Sequence, residues 1–263
     1  MSLDKAIIDR IVKVAEDAAA LIERERKLFD KDRVEEKGLN SLVSYVDKNA
    51  EEIIVRGLTE ILPEAGFISE EETVDQKEAE YRWVIDPLDG TTNFIHGLPV
   101  FAVSIGLVQG DDPVAGVVYE VNSKECFSAF KGDGAFLNGQ PISVSDVTSL
   151  KDSLLATGFP YYEFQDLSRY MEIMQAFMRG THGLRRMGSA AIDLAYVACG
   201  RFDGYFEYNL NSWDVAAGVL LVREAGGVVT DFQGGGNPVF DREVVAGGPV
   251  QKEMLEEISK YWN

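Results

Sequence analysis

The stretch Trp83-Val84-Ile85-Asp86-Pro87-Leu88-Asp89-Gly90-Thr91-Thr92-Asn93-Phe94 concentrates the residue types that do chemistry. Trp83-Val84-Ile85 is an apolar run that reads as a buried strand. It carries Asp86 to the strand's end, where Pro87, lacking an N–H, stops the ladder. Asp89-Gly90 reads as a tight turn, and Thr91-Thr92-Asn93 opens a short helix ending near Gly97. Two carboxylates therefore flank a turn beside the backbone N–H groups of a helix start. Carboxylate oxygens suit hard cations such as Mg²⁺, and helix-start N–H groups suit phosphate oxygens. One turn thus offers both halves of a metal-assisted phosphate site. Taken alone, an Asp-x-x-Asp-Gly turn is ordinarily only a solvated turn, so the rest of the chain must support the reading.

Periodicity names the elements that hold this turn. Ile7, Ile8, Ile11, Val14, Ala15, Ala18, Leu21 and Ile22 recur at helical spacing, which predicts an amphipathic helix within the first thirty residues. A polar turn through Gly38 leads to Asp47, placed as the N-cap of a second helix. That helix repeats Ala50, Ile53, Ile54, Leu58 and Ile61 and stops at Pro63. Phe67-Ile68-Ser69 reads as a short strand ending at Glu70, and Thr73 to Glu80 as an exposed connector. Ala102 to Val108, Val114 to Val121 and Cys126 to Phe130 alternate like consecutive antiparallel strands. After Ser153 helix and strand alternate. The expected helices are Leu167 to Met178, Ser189 to Cys199 and Val215 to Ala225, with a last one at the end. The expected strands are Tyr205 to Glu207 and Val244 to Ala246. This change of pattern suggests two layered halves, 1–150 and 151–263, forming one compact catalytic unit.

Of 263 residues, 25 are Lys or Arg and 44 are Asp or Glu, a net charge of −19. Such a field repels nucleic-acid backbones and anionic lipid surfaces, so neither is expected as a partner. It also repels a phosphate monoester, which makes local cations at the site necessary. Cys126 and Cys199 lie in apolar settings and read as two reduced thiols. His96 and His182 stand alone, without zinc-ligand spacing. Met1 to Lys5 shows no signal-peptide pattern, and no apolar run approaches the roughly 18 residues of a membrane span. A cytoplasmic location is expected.

Asp86 to Phe94 matches, residue for residue, the inositol monophosphatase family signature Asp-Pro-(Ile/Leu)-Asp-Gly-Thr-x-Asn-Phe. Phe67-Ile68-Ser69-Glu70-Glu71 upstream and Trp213-Asp214-Val215-Ala216-Ala217-Gly218 downstream fit the same family in the same order, so the chain resembles it over nearly its whole length. The resemblance implies an α+β or α/β layered α-β-α-β-α sandwich, the sugar-phosphatase fold, with the active site between the halves. It implies a lithium-sensitive, Mg²⁺-dependent phosphomonoesterase, active as a homodimer, holding two to three Mg²⁺ ions. In that scheme Asp86 bridges two ions, with Glu70 and the Leu88 carbonyl on one and Asp89 and Asp214 on the other; a third, weaker ion lies beside Glu70. Glu70, Thr91 and Asp47 are the candidate catalytic residues, Thr91 and Asp47 orienting an attacking water. Gly90, Thr91 and Thr92 would bind phosphate through backbone N–H groups. Gly188-Ser189-Ala190 matches the family's Gly-Thr-Ala turn, and Glu207 stands at the spacing of its hydroxyl-binding glutamate. With Asp89 they would contact the substrate.

The expected substrate is a small polyol phosphate, foremost inositol monophosphate. The alternatives are histidinol phosphate, fructose 1,6-bisphosphate and 3′-phosphoadenosine 5′-phosphate. A second phosphate near Glu207 would meet repulsion, which disfavours the last two. A regulatory binding protein built on the same fold is the reading from another class. The chain departs from the family pattern before the second helix, where Ser41 stands at a position commonly Asp and Lys37 is displaced by about one residue. Metal affinity and lithium sensitivity are expected to change accordingly.

Overall fold

The computed structural model describes residues 3–28, 34–38, 41–74, 79–160 and 165–262, the side chains of 34–44 excepted. The order begins with helix α1 (Ile7–Arg26), strands β1 (Val34–Gly38) and β2 (Ser41–Ser44), and helix α2 (Tyr45–Ile61). Then come β3 (Gly66–Ser69), β4 (Tyr81–Asp89), the short helix α3 (Thr91–His96), β5 (Ala102–Gln109), β6 (Asp112–Glu120), β7 (Glu125–Phe130), β8 (Gly134–Leu137) and β9 (Gln140–Pro141). The remainder is β10 (Leu154–Thr157), α4 (Leu167–Gly180), β11 (Gly183–Arg185), α5 (Ala190–Ala198), β12 (Gly204–Tyr208), α6 (Ser212–Glu224), β13 (Val228–Thr230), β14 (Glu243–Gly247) and α7 (Gln251–Ile258).

Strands β3 to β9 form one sheet in chain order, and the other is ordered β11-β10-β12-β14-β13. Both are mixed: β3–β4, β10–β11 and β10–β12 run parallel, and the other ladders are antiparallel. β1 and β2 pair as a separate antiparallel hairpin, where the sequence suggested only a polar turn.

Alternation within each strand sorts the core into three layers of packing. In β4, Trp83 and Ile85 pack with the apolar faces of α1 and α2, while Val84 packs with α5 and α6. In β12, Tyr205 faces α5 and α6, while Phe206 joins Tyr170, Phe177 and Met254 of α4 and α7. Successive strand residues point to opposite faces, so each sheet is buried on both sides. The result is helices, sheet, helices, sheet, helices, the expected five layers.

Helix α6 approaches the larger sheet closely because the sheet is smooth there. Gly106 and Gly116 are register partners on β5 and β6. A Cβ at Gly106 would stand 3.0 Å from the Ala216 Cβ, and one at Gly116 would stand 3.1 Å from the Ala217 Cα. Gly106→Val is therefore expected to push α6 away, at a cost of about 1–3 kcal/mol. A melting temperature equal to wild type would show that the contact yields without loss.

Candidate active site

Strand β4 does not end at Pro87. It continues to Asp89 through a register shift in which Asp86 pairs with Ser104 and Asp89 with Ala102. Two residues, Pro87 and Leu88, thus lie opposite Val103 alone, as in a β-bulge. The ladder survives the missing proline N–H because the bulge absorbs it. It also decides where the acids point. Residues three apart on a regular strand face opposite sides, but the extra residue restores the phase, so Asp86 and Asp89 share a face. Their partners Ser104 and Ala102 are two apart and share it too. It is the face toward α6, since Val84 and Ala102 pack there and the Ser104 hydroxyl lies 3.4 Å from the Trp213 carbonyl oxygen.

Asp214 arrives from that helix. Helix α6 begins at Ser212 rather than near Val215, so Asp214 is the third helical residue, behind the N-cap Asn211. Its Oδ2 accepts from Asn211 N at 2.7 Å in a capping box. Asp89 Oδ2 accepts from Ser189 Oγ at 2.6 Å and Ala191 N at 2.7 Å, at the start of α5. Asp86 Oδ1 accepts from Leu88 N at 2.9 Å. Each of these three acids therefore has one oxygen oriented by a protein donor.

The acids form an electrostatic cluster. Burial pushes the Asp86 carboxyl well above the usual carboxylate range, and Glu70, Asp89 and Asp214 add to the rise. Asp86 also shares a hydrogen bond with Glu70. Burial, then Asp89, pushes Asp214 up to about 8. Burial raises Asp89 to about 6 against the hydrogen bonds from Ser189 and Ala191. Like charges brought together out of water disfavour ionisation, and a cation among them would relieve it. Among the described residues, no three or more His, Cys, Asp or Glu are gathered tightly enough to hold a metal ion as they stand. The donor set nonetheless fits one: all oxygen, as hard divalent cations require, with side chains already aimed by neighbouring donors.

Asp47 is not the N-cap that its place in the sequence suggested. Helix α2 starts at Tyr45, which puts Asp47 in the first turn, fully buried. Thr91 Oγ1 lies 2.8 Å from Asp47 Oδ1 and 2.9 Å from the Leu88 carbonyl, so one hydroxyl proton serves two acceptors. Thr91 opens α3 after Gly90, whose φ of +93° suits glycine. A Cβ at Gly90 would stand 2.9 Å from the Val100 carbonyl, which also forbids a side chain. Phe94 N donates to Gly90 O at 3.0 Å to close the first turn, so the N–H groups of Gly90, Thr91 and Thr92 precede the helical ladder. Asn93 ties the turn to the other half, donating to Val100 O at 2.8 Å and Met187 O at 2.9 Å.

Glu207 sits on β12 in phase with Tyr205, on the face toward α5 and α6. The Tyr205 hydroxyl donates to its Oε2. Burial raises Glu207 to about 7, opposed by Tyr205 and by the Arg186 guanidinium. Ser189 is committed to Asp89 and to the helix start, accepting from Ile192 N at 3.3 Å. Ser189 and Ala190 are buried in this turn, and Gly188 is half-buried beside them. The side chains of Lys37 and Ser41 lie outside the described residues, as do 75–78 of the acidic connector.

Sequence reasoning missed Glu51. It is fully buried on α2, one turn after Asp47, and its carboxyl accepts from Ser69, Glu71 and Thr73. The signal was available, since Glu51 is a charged residue four positions beyond Asp47 within the apolar stripe of Ala50, Ile54 and Leu58.

The inositol monophosphatase family model matches residues 4–263. An inositol-1-monophosphatase of Mesorhizobium japonicum is 40% identical over 257 residues, covering 97% of both chains. The Nus factor SuhB of Escherichia coli K12 is 45% identical over 247 residues, covering 93% of this chain and 92% of that one. The crystal structure of the extragenic suppressor protein suhB from Bartonella henselae superposes with a TM-score of 0.91 at 39% identity, over 97% of this chain and 99% of that one.

Proposed function

The chain belongs to the inositol monophosphatase family and is a phosphoric monoester hydrolase, from which we propose that it hydrolyses inositol monophosphate with Mg²⁺ as cofactor. The observation that supports this most is the bulge in β4, which turns Asp86 and Asp89 to one face opposite Asp214. Asp86, with Glu70 and the Leu88 carbonyl, would hold one ion, and Asp86, Asp89 and Asp214 a second; a third would sit beside Glu70. When bound, these ions supply positive charge to the phosphate and to the water that attacks it.

The chain's own groups do the positioning. The N–H groups of Gly90, Thr91 and Thr92 bind phosphate oxygens at the start of α3. Thr91 orients the attacking water, and Asp47, 2.8 Å away, accepts the proton that the hydroxyl passes on. Glu70, beside Asp86, also orients water. Glu207, Asp89 and the Gly188–Ala190 backbone contact the alcohol, while Ser189 acts through Asp89. Residues 1–150 supply most of the metal ligands and 151–263 the alcohol contacts. We place the enzyme in the cytoplasm as a homodimer inhibited by lithium, without nucleic-acid or membrane partners; no described helix is long and apolar enough to cross a membrane. Histidinol phosphate is the next substrate to consider. A regulatory role, as the name of the Escherichia coli relative suggests for that protein, would be additional, because a mere binder has no use for four clustered acids.

Assay of the purified protein with Mg²⁺ against polyol, sugar and nucleotide phosphates tests the reading, and highest kcat/KM on a bisphosphate would overturn it. The alcohol contact has its own test. Charge-assisted hydrogen bonds contribute about 1.5–3 kcal/mol, so Glu207→Ala should lower kcat/KM for inositol monophosphate about ten- to a hundredfold. p-Nitrophenyl phosphate lacks the hydroxyl and should be cleaved as before. Equal losses on both esters would assign Glu207 to the fold instead.

A further inference from the structure

The loop that carries Glu70 is folded around a single side chain. Glu51 Oε1 accepts from Ser69 Oγ at 3.1 Å, from Thr73 N at 2.7 Å and from Thr73 Oγ1 at 2.7 Å; Oε2 accepts from Glu71 N at 2.8 Å. All four donors belong to residues 69–73, on both sides of Glu70. The loop makes its turn with Glu72 at φ +52°, a left-handed conformation that a residue with a Cβ adopts only when its surroundings compensate. Glu70 N also donates to Ile85 O, at 3.4 Å, a long bond. The hydrogen bonds to Glu51 are shorter and end on a fully buried acceptor on a rigid helix.

We propose that Glu51 is the positioning residue that presents Glu70 to the acid cluster, so that it sets the divalent-cation requirement of the enzyme without touching substrate or metal. The inference rests on the Mg²⁺ reading above. It also gives α2 a double task. Asp47 contacts the Thr91 hydroxyl from one turn of the helix, and Glu51 braces the Glu70 loop from the next. The two walls of the site are thereby referred to one element.

Glu51→Gln keeps the size but replaces one acceptor oxygen by an NH₂ group, which would face donors and release part of the loop. Partners that orient metal ligands typically matter by 10–100-fold in affinity, so half-saturation by Mg²⁺ should rise at least about tenfold. kcat at saturating Mg²⁺ should stay within about threefold, because the bound ion draws the unaltered Glu70 back to its place and Asp86, Asp89 and Asp214 are untouched. The readouts are calorimetric titration with Mg²⁺, the Mg²⁺ dependence of kcat, and hydrogen exchange, in which Glu71 and Thr73 amides should lose protection while Ile54 keeps it. Thr73→Val removes one donor without unpairing a buried charge, and it should raise Mg²⁺ half-saturation about two- to fivefold. It decides the matter if Glu51→Gln does not fold. An unchanged Mg²⁺ requirement in a folded variant, or a fall in kcat with Mg²⁺ affinity intact, overturns the proposal. A wild-type enzyme indifferent to Mg²⁺ overturns the underlying reading instead.

Discussion

Asp86→Asn is expected to lower kcat by at least about a thousandfold, a loss of about 4 kcal/mol of transition-state stabilisation. Asp86 is the centre of the cluster: its carboxyl is raised by all three others, Glu70, Asp89 and Asp214. Asparagine keeps the volume and the oxygen that accepts from Leu88 N, so the bulge should survive. It also removes one of several charges that repel each other out of water. The chelated variant should therefore melt no lower than chelated wild type, and this separates loss of chemistry from loss of fold. A variant within tenfold of wild-type kcat would deny Asp86 the bridging position. A variant that melts well below wild type would show that the carboxyl is needed for the bulge itself.

What the sequence made legible depended on range. The stripe Ile7, Ile11, Val14, Ala18, Ile22 is long enough for its period to be unmistakable, and α1 buries those residues. The Asp86–Phe94 string identified the family and thus the five layers. Three short strands were not legible: β10, β11 and β13 span three or four residues, too few for any period, and are strands because a neighbour pairs with them. The same limit misplaced two acids. Asp47 was read as an N-cap and the helix after Asp214 as starting at Val215, yet the two helices start two residues before these acids, at Tyr45 and Ser212. Pro87 was read as a stop by its missing N–H. Only the pairing partner shows that Val103 faces two residues, and the shared face of Asp86 and Asp89 follows from that pairing. The place of Glu51 in the apolar stripe marks it as buried, but its donors lie about twenty residues ahead, and no local rule names them.

Removal of divalent cations by excess EDTA should abolish activity, and Mg²⁺ should restore it. A phosphate held against Asp86, Asp89 and Asp214 needs more positive charge than Arg186, which acts on Asp89, and Arg242, which acts on Asp214, supply against three buried acids. Full turnover in EDTA would refute the mechanism outright. Stability should respond as well, in a direction the acids dictate. Asp214, raised from 3.8 to about 8, and Asp89, raised to about 6, bind protons more tightly folded than unfolded. The stabilisation from that proton binding is complete below the unfolded values near pH 4 and is lost as pH rises through the folded ones. Chelated protein should thus lose stability between about pH 4 and 8. Mg²⁺ competes with the same protons, so its elevation of the melting temperature should be larger at pH 8 than at pH 6. An equal elevation at both pH values would mean that the stabilising ion binds somewhere other than among these carboxyls.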